Sequence, residues 1–415
     1  MSEIEVSVVI PFCNEGSNVI FTTQAMIEEL DGFCKYEIIL VDNMSHDHLI
    51  MKSGDREYPT YSRDFFFHPP KGATPEQIAD KKTWSKISTM FFRKGVVKYF
   101  TYDLKQGHWN AKNHGIQNST GKYILFLDAH CIMKRDSVRK MVQFLRDWEG
   151  KEYDHPMTPG KKWKVGGVHA LINYILDSRC LQYGVERKTF GYKFRTRQIE
   201  DYWQGGTVPL TDEIKAVTRA VMNPPSAERG ETWKSQYGSD PLIAPYLTDN
   251  SVKLDPSWPK RLTRFPDKPY EVPVMSTCAM MCPRSLIDDL GAWHPEFGIY
   301  CGGESYINWK QTTCGYSHWI HPAAQCWHHA DHRGYSYNHS DFVRNSFIAA
   351  YVVGGEKFLQ EQVDLRKAKE RHAVIDALAE DVRNKCKVER DFIASRQIVD
   401  LDSYLDWWRK NQFWR

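Results

Sequence analysis

VSVVIPFCNEG, residues 6–16, opens as an apolar, β-branched run and gives way to a polar cluster, Asn14-Glu15-Gly16. An uninterrupted run of this kind predicts a short strand buried on both faces. Behind it, SNVIFTTQAMIEEL, residues 17–30, carries apolar side chains at helical spacing after a Ser17 or Asn18 cap, and YEIILVDN, residues 36–43, is a second apolar run. Strand, helix and strand at this spacing predict a parallel βαβ unit. Asn14 and Glu15 then fall just past the carboxyl end of the first strand, and Asp42-Asn43 at the end of the second. Open α/β sheets bind ligands at that edge. Taken singly, Asn14 or Asp42 could equally do no more than end a strand and cap a turn.

The rhythm weakens from 51 to about 95, where SRDFFFHPPKGATPEQ, residues 62–77, reads as a long excursion followed by a short helix. It resumes with VKYFTYDL (97–104) as a strand, NAKNHGIQNSTG (110–121) as a helix ending at a glycine turn, KYILFLDAHC (122–131) as a strand and DSVRKMVQFLRDW (136–148) as a helix. The expected fold class is therefore α/β, with parallel strands whose ends carry Asn14, Asp42 and Asp128. Residues 151–272, rich in Pro, Gly, Trp and Tyr, read as an insertion. VPVMSTCAMMCPRSLIDDLGAWHPEF, residues 272–297, restores a strand and a short helix opened by Pro283. The last stretch predicts amphipathic helices, DLRKAKERHAVIDALAEDVRNK (364–385) the clearest of them, before an aromatic tail, YLDWWRKNQFWR. The expected organisation is 1–150, the insertion 151–272, a further α/β part 273–345 and a helical region 346–415.

A chain of 415 residues with 41% apolar content can bury a large core and is too long for one small domain. Its 55 basic and 52 acidic side chains nearly cancel, so net charge does not by itself argue for nucleic acid. The distribution is uneven: Lys161 to Lys268 holds 18 basic against 12 acidic residues, which leaves the remainder of a chain of net charge +3 negative. KTFGYKFRTR, residues 188–197, mixes cations with rings, a combination that suits backbone phosphates and stacked bases. A solvated surface is the plainer reading of the same residues. Ten cysteines without a CxxC pair resemble neither a disulfide scaffold nor a structural zinc module, and Cys278, Cys282 and Cys326 read as small buried residues. The N-terminus is acidic where a signal peptide needs bases, and no apolar run approaches the roughly 18 residues of a membrane span. A soluble, cytoplasmic protein with no membrane partner is expected; nothing in the sequence fixes its oligomeric state.

FLDAHC, residues 126–131, ends a buried run on Asp128 and His130. Positions i and i+2 of a strand face the same side, so a carboxylate and an imidazole are brought together. Oxygen ligands suit Mg²⁺ or Mn²⁺, and Mn²⁺ also accepts imidazole. Such a metal is what cleavage of a nucleotide-diphosphate sugar calls for, because the leaving group carries concentrated negative charge. A third ligand must come from elsewhere, and HPAAQCWHHADH, residues 321–332, contains four histidines.

VSVVIPFCNEG, IILVDNMSHD, the NAKNHG helix and GKYILFLDAHC follow one another as in the nucleotide-binding half of family 2-like glycosyltransferases of the GT-A fold. VPVMSTCAMMCPRSLIDDLGAWHPEFGIYCGGES resembles the acceptor half of the polypeptide N-acetylgalactosaminyltransferases. The resemblance implies a Rossmann-like nucleotide-sugar domain in which Asp128 and His130 are the Asp-x-His metal ligands. It puts the third ligand downstream of Gly-Gly-Glu at His328, with His329 the competitor. Asp42 would hold uracil or ribose, and Pro11, Asn14 and Glu15 would wrap the nucleoside. Lys112 and Asn113 would stand near base and diphosphate, Glu304 near sugar and acceptor, and Arg333 and Tyr335 on a loop closing over the diphosphate. Glu304 as a simple helix cap is the competing reading.

The chain departs from that pattern at Ser305, where inverting relatives carry an aspartate base. Either Glu304 is the base or configuration is retained, as in the N-acetylgalactosaminyl enzymes, and the lean is to retention. No counterpart of the lectin-like domain and anchor of those enzymes is expected here, and 151–272 matches no part of them. The implied activity is a Mn²⁺- or Mg²⁺-dependent hexosyl transfer from a nucleotide sugar, a UDP sugar, to a hydroxyl. As acceptor the resemblance to phage-type enzymes suggests a hydroxymethylated pyrimidine in DNA, turned out of its stack or single-stranded. Polypeptide and glycan hydroxyls are the alternatives, and a GT-A protein that binds without catalysis is a third.

Overall fold

The computed structural model describes residues 3–15, 18–45, 50–53, 56–59, 95–174, 179–186, 191–198, 202–203, 216–217, 220, 225, 230–248, 251–252, 261–262, 268–328, 339–368 and 370–411. The stretch at 62–77, His329, Arg333 and Tyr335 lie outside them.

Within these residues β1 (Val6–Phe12), α1 (Asn18–Leu30) and β2 (Tyr36–Asp42) form the expected parallel unit, Val6 standing opposite Tyr36 and Phe12 opposite Asp42. Every residue of both strands is buried, the condition under which a strand reads as a continuous apolar run. β3 (Val97–Thr101) lies parallel to β2, and α2 (His108–Gln117) leads into β4 (Tyr123–Leu127), parallel to β1 on its other side. α2 sits close on the sheet because Gly115 faces it: a Cβ there would fall 2.4 Å from Val9 Cγ1. β5 (Cys131–Met133) and α3 (Ser137–Trp148) follow.

The main sheet continues through the segment expected as an insertion. β6 (Glu152–Asp154) and β7 (Lys162–Tyr174) belong to it, and β8 (Arg179–Glu186) and β9 (Gly191–Gln198) extend it as an antiparallel hairpin. Further along the chain come β10 (Tyr270–Val272), β11 (Ala279–Pro283), α4 (Arg284–Leu290), α5 (Gly303–Thr313) and the long β12 (Tyr316–His328). Among the described residues the sheet has twelve strands, in the order β9-β8-β7-β11-β4-β1-β2-β3, with β12 pairing β5, β7 and β10. It is mixed, since β11 runs antiparallel to both β4 and β7, while β12 is parallel to β7. Cys278, Cys282 and Cys326 are buried, as expected.

The C-terminal part is helical: α6 (His339–Ala349), α7 (Gly355–Lys367), α8 (His372–Arg396) and α9 (Leu401–Asn411). The amphipathic stretch 364–385 is divided between α7 and α8, because Arg371 adopts an extended backbone at φ −66° and ψ 120°. These helices are part of the body of the protein. Lys310 on α5 pairs with Glu389 at 3.1 Å, Tyr404 donates to the Pro273 carbonyl at 2.8 Å, and one hydrophobic core runs from Val6 to Trp408. Burying a large apolar side chain is worth about 1.5–3 kcal/mol, so this core binds the helices to the sheet. Among the described residues no helix is long and apolar enough to cross a membrane.

Candidate metal and donor site

Strands β1, β2 and β4 are parallel and in register, so their carboxyl ends share one edge. Asp128 is the first residue beyond β4, its backbone N–H donating to the Cys278 carbonyl at 3.1 Å. His130 follows two positions on. His328 ends β12 and stands opposite Cys131, which brings residues 198 apart in sequence together. The two Nε2 atoms lie 3.2 Å apart, and His130 Nε2 is 3.8 Å from Asp128 Oδ2. One ligand atom from each of Asp128, His130 and His328 lies within 4.8 Å of the others, so these three form a group that could hold a metal ion.

The donor set fits a divalent ion. Asp128 Oδ1 is buried and makes no hydrogen bond among the described residues, and the facing nitrogens cannot both carry protons toward one another. One carboxylate and two imidazoles is chemistry that Mn²⁺ accepts. Burial works to raise the Asp128 carboxyl, but Lys112, His108, His130 and His328 outweigh it and hold the group well below the usual carboxylate range. Asp128 is therefore ionised throughout the physiological range.

Lys112 is fully buried. Its Nζ donates to the Thr277 carbonyl at 2.9 Å and to Thr277 Oγ1 at 2.7 Å, and lies 3.6 Å from Asp128 Oδ1. The rings of Trp109, Phe126 and Trp293 lie 5.5–5.9 Å from it. What the lysine meets is Asp128 from beneath. One helical turn earlier, His108 does show its ring to the pocket, with Nε2 3.9 Å from the same Asp128 oxygen. Sequence reasoning passed over it, although the i, i+4 spacing to Lys112 was visible. Asn113 is occupied elsewhere: its amide bonds both the carbonyl and the N–H of Trp293, at 2.6 and 3.1 Å.

The pocket beyond the strand ends encloses about 530 Å³, part of it open to solvent, and its walls include Pro11, Cys13, Glu15, Asn43, Gln106 and His108 beside Asp128 and His130. Asp42 lies behind this wall, buried, accepting from the Tyr99 hydroxyl and, at 2.9 Å, from the Ser45 N–H. Asn14 has a left-handed backbone, φ 55°, and its N–H donates to Ser45 Oγ at 3.1 Å. Glu15 turns inward, its Oε1 3.1 Å from His130 Nδ1.

Glu304 lies in the first turn of α5, where the Lys112 charge and Thr277 act on its carboxyl. Burial, aided by Asp128, pushes its carboxyl up to about 7 against the pull of Lys112. Ser305 is buried behind it. Thr277 was not singled out from the sequence, since a threonine inside VPVMSTCAMM carries no signal of its own.

The family described as Glycosyl transferase family 2 matches residues 79–203. Among solved structures, GalNAc-T7 with UDP, GalNAc and Mn²⁺ is similar at 17% identity and a TM-score of 0.49, covering 95% of this chain and 57% of that one. The mannosyltransferase PcManGT from Pyrobaculum calidifontis, in complex with GDP-Man and Mn²⁺, is similar at 14% identity and a TM-score of 0.37, covering 100% of this chain and 88% of that one. This chain thus spans little more than half the length of GalNAc-T7. No curated protein matches it. The class is that of α/β proteins built on a mixed sheet, and residues 79–203 resemble the family 2 glycosyltransferases.

Proposed function

We propose that the chain is a metal-dependent glycosyltransferase that moves a sugar from a UDP sugar to a hydroxyl. The observation carrying this reading is the convergence of Asp128, His130 and His328 beside a pocket at the carboxyl edge of β1, β2 and β4. These three residues would hold Mn²⁺, or Mg²⁺ in its place, and the bound ion would supply Lewis-acid charge to a diphosphate leaving group. Lys112 keeps Asp128 ionised. Pro11, Asn14 and Glu15 shape the nucleoside wall through their backbone, braced from behind by Asp42. His108 offers the diphosphate the exposed ring that Lys112 does not, and Arg333 and Tyr335 are assigned to the covering loop. Glu304 is the group assigned to the acceptor hydroxyl, whose proton its carboxylate accepts in a hydrogen bond. With Ser305 in place of an aspartate base, retention of configuration is the favoured outcome.

For the acceptor we favour a hydroxymethylated pyrimidine in DNA. The support is the composition of β9, whose sequence interleaves Lys193, Arg195 and Arg197 with Tyr192 and Phe194. We read residues 1–150 as the donor half, 273–345 as the metal and acceptor half and 346–415 as its helical support. Within 151–272, the part beyond β7 is the acceptor-binding region. The deciding experiment is a donor and acceptor screen read by mass spectrometry, with Mn²⁺ and with hydroxymethylated DNA, peptides and glycans as acceptors. Sugar transfer to DNA that falls steeply from low to moderate salt is expected. Transfer only to peptide or glycan would replace this acceptor, and binding of nucleotide sugar without turnover on any acceptor would favour a protein that kept the fold and lost the reaction.

A further inference from the structure

We infer that Glu15 is a positioning residue for the metal ligand His130, fixing by one buried hydrogen bond which ring nitrogen carries the proton and which faces the metal. The inference rests on the metal-site reading above and gives Glu15 a role beyond lining the pocket.

The His130 ring has a different neighbour at each nitrogen. Nδ1 is 3.1 Å from Glu15 Oε1, whereas Nε2 is 3.2 Å from His328 Nε2 and 3.8 Å from Asp128 Oδ2. An ionised carboxylate can only accept, so the contact at Nδ1 calls for a proton on that nitrogen. A neutral imidazole has one ring proton. Once it is on Nδ1, Nε2 presents its lone pair to Asp128 and His328, the form a metal needs. With the proton on Nε2 instead, His130 would turn an N–H toward His328 and bind no cation. The two side chains are 4% and 8% exposed, so water competes little for the bond.

The backbone explains why an acidic side chain just past β1 points at a histidine 115 residues away. Asn14 is left-handed, a conformation that Asn tolerates better than most residues and that turns the following side chain back toward the sheet. That turn is tied to the next loop by the Asn14 N–H on Ser45 Oγ at 3.1 Å, and the Ser45 N–H is in turn held by Asp42 at 2.9 Å. On the other side, the Asn18 N–H donates to the Glu15 carbonyl at 3.1 Å and the Asn18 amide reaches Glu15 Oε2 at 3.5 Å. Loop, helix start and carboxylate are thus one braced unit delivered to His130.

The test uses the whole chain and Mn²⁺ alone as probe, with affinity measured by calorimetry and the His130 ring nitrogens read by nitrogen NMR at mildly alkaline pH without metal. Wild type is expected to show the proton on Nδ1 and to bind Mn²⁺. Glu15→Ala should weaken Mn²⁺ about 10–100-fold, the usual effect of losing such an outer partner. Glu15→Gln, whose amide oxygen still accepts from Nδ1, should fall between the two. Equal Mn²⁺ affinity in wild type and Glu15→Ala, or an Nε2 proton in the wild-type ring, would overturn the inference while leaving the metal site standing. Should wild type bind Mn²⁺ no better than His328→Ala, the metal site itself is wrong, and this role for Glu15 goes with it. If Glu15→Ala does not fold, the NMR state of wild type and the affinity of Glu15→Gln decide the matter alone.

Discussion

His130 and His328 face each other through their Nε2 atoms across 3.2 Å, one from the turn after β4 and the other from the last residue of β12. That places His328 within reach of Asp128 as well. Replacing it with alanine should weaken Mn²⁺ by more than the roughly 10–100-fold seen on losing an outer partner, whereas His329→Ala should change the affinity little. Calorimetric titration of both variants with Mn²⁺ checks this, and the reverse ranking would move the ligand to His329.

Lys112→Met should destabilise the protein by about 1–3 kcal/mol, because it leaves Asp128, partly buried, ionised without its nearest cation. Equilibrium urea unfolding reads the change. The paired variant Lys112→Met/Asp128→Asn should recover much of the loss, since no lone charge then remains; failure to recover would mean that the aromatic packing around the lysine matters more than its charge.

Glu304 predicts a pH dependence of definite sign. Its carboxyl sits at about 7 in the folded protein against an ordinary value of 4.5, chiefly through burial. The assigned role needs the ionised form, so kcat/KM should rise with pH up to about 7 and level off above it. Glu304→Gln should lose most of the activity and the rising limb together. Stability moves the other way: the raised carboxyl contributes fully below about 4.5, and the contribution is lost as pH rises through about 7. A pH profile of turnover that is flat from 5 to 8 would remove Glu304 from the reaction.

Gly115→Ala opposes two effects. Helix propensity favours alanine by about 1 kcal/mol, but the added methyl meets Val9 Cγ1 at 2.4 Å, and overpacking costs about 1–3 kcal/mol. A net loss of stability is expected in thermal unfolding. Shortening Val9 to Ala in the same chain should make the methyl tolerable, so the pair should lose less than the sum of the single changes.

The parts of this fold that could be read in the sequence are those whose signal is local. β1, α1, β2 and β4 each carry their own periodicity, and Asp128 and His130 follow from a strand's alternation. β7 could not be read this way. KWKVGGVHALINY holds two adjacent glycines and sits among polar loops, and the strand that shows it to be central, β12, lies some 150 residues further on. Lys112 advertises a cation and says nothing of burial; of the three rings that enclose it, Trp109 is one turn away on α2, but Phe126 and Trp293 come from other segments. Glu15 was visible as a polar residue at the right edge, but its direction depends on the left-handed turn at Asn14, which a sequence of ordinary residues does not announce. Likewise, the amphipathic pattern of 364–385 runs without interruption across the break at Arg371, because α7 and α8 present apolar faces to the same core.

The central claim is that Asp128, His130 and His328 hold a divalent ion that the transfer reaction requires. The most direct measurement is release of UDP from UDP sugars by the whole chain, followed with Mn²⁺, after chelation, and in Asp128→Ala. The account predicts release with Mn²⁺ that stops on chelation, returns when the ion is restored, and is absent in the variant. Release that persists under chelation and in Asp128→Ala would contradict it.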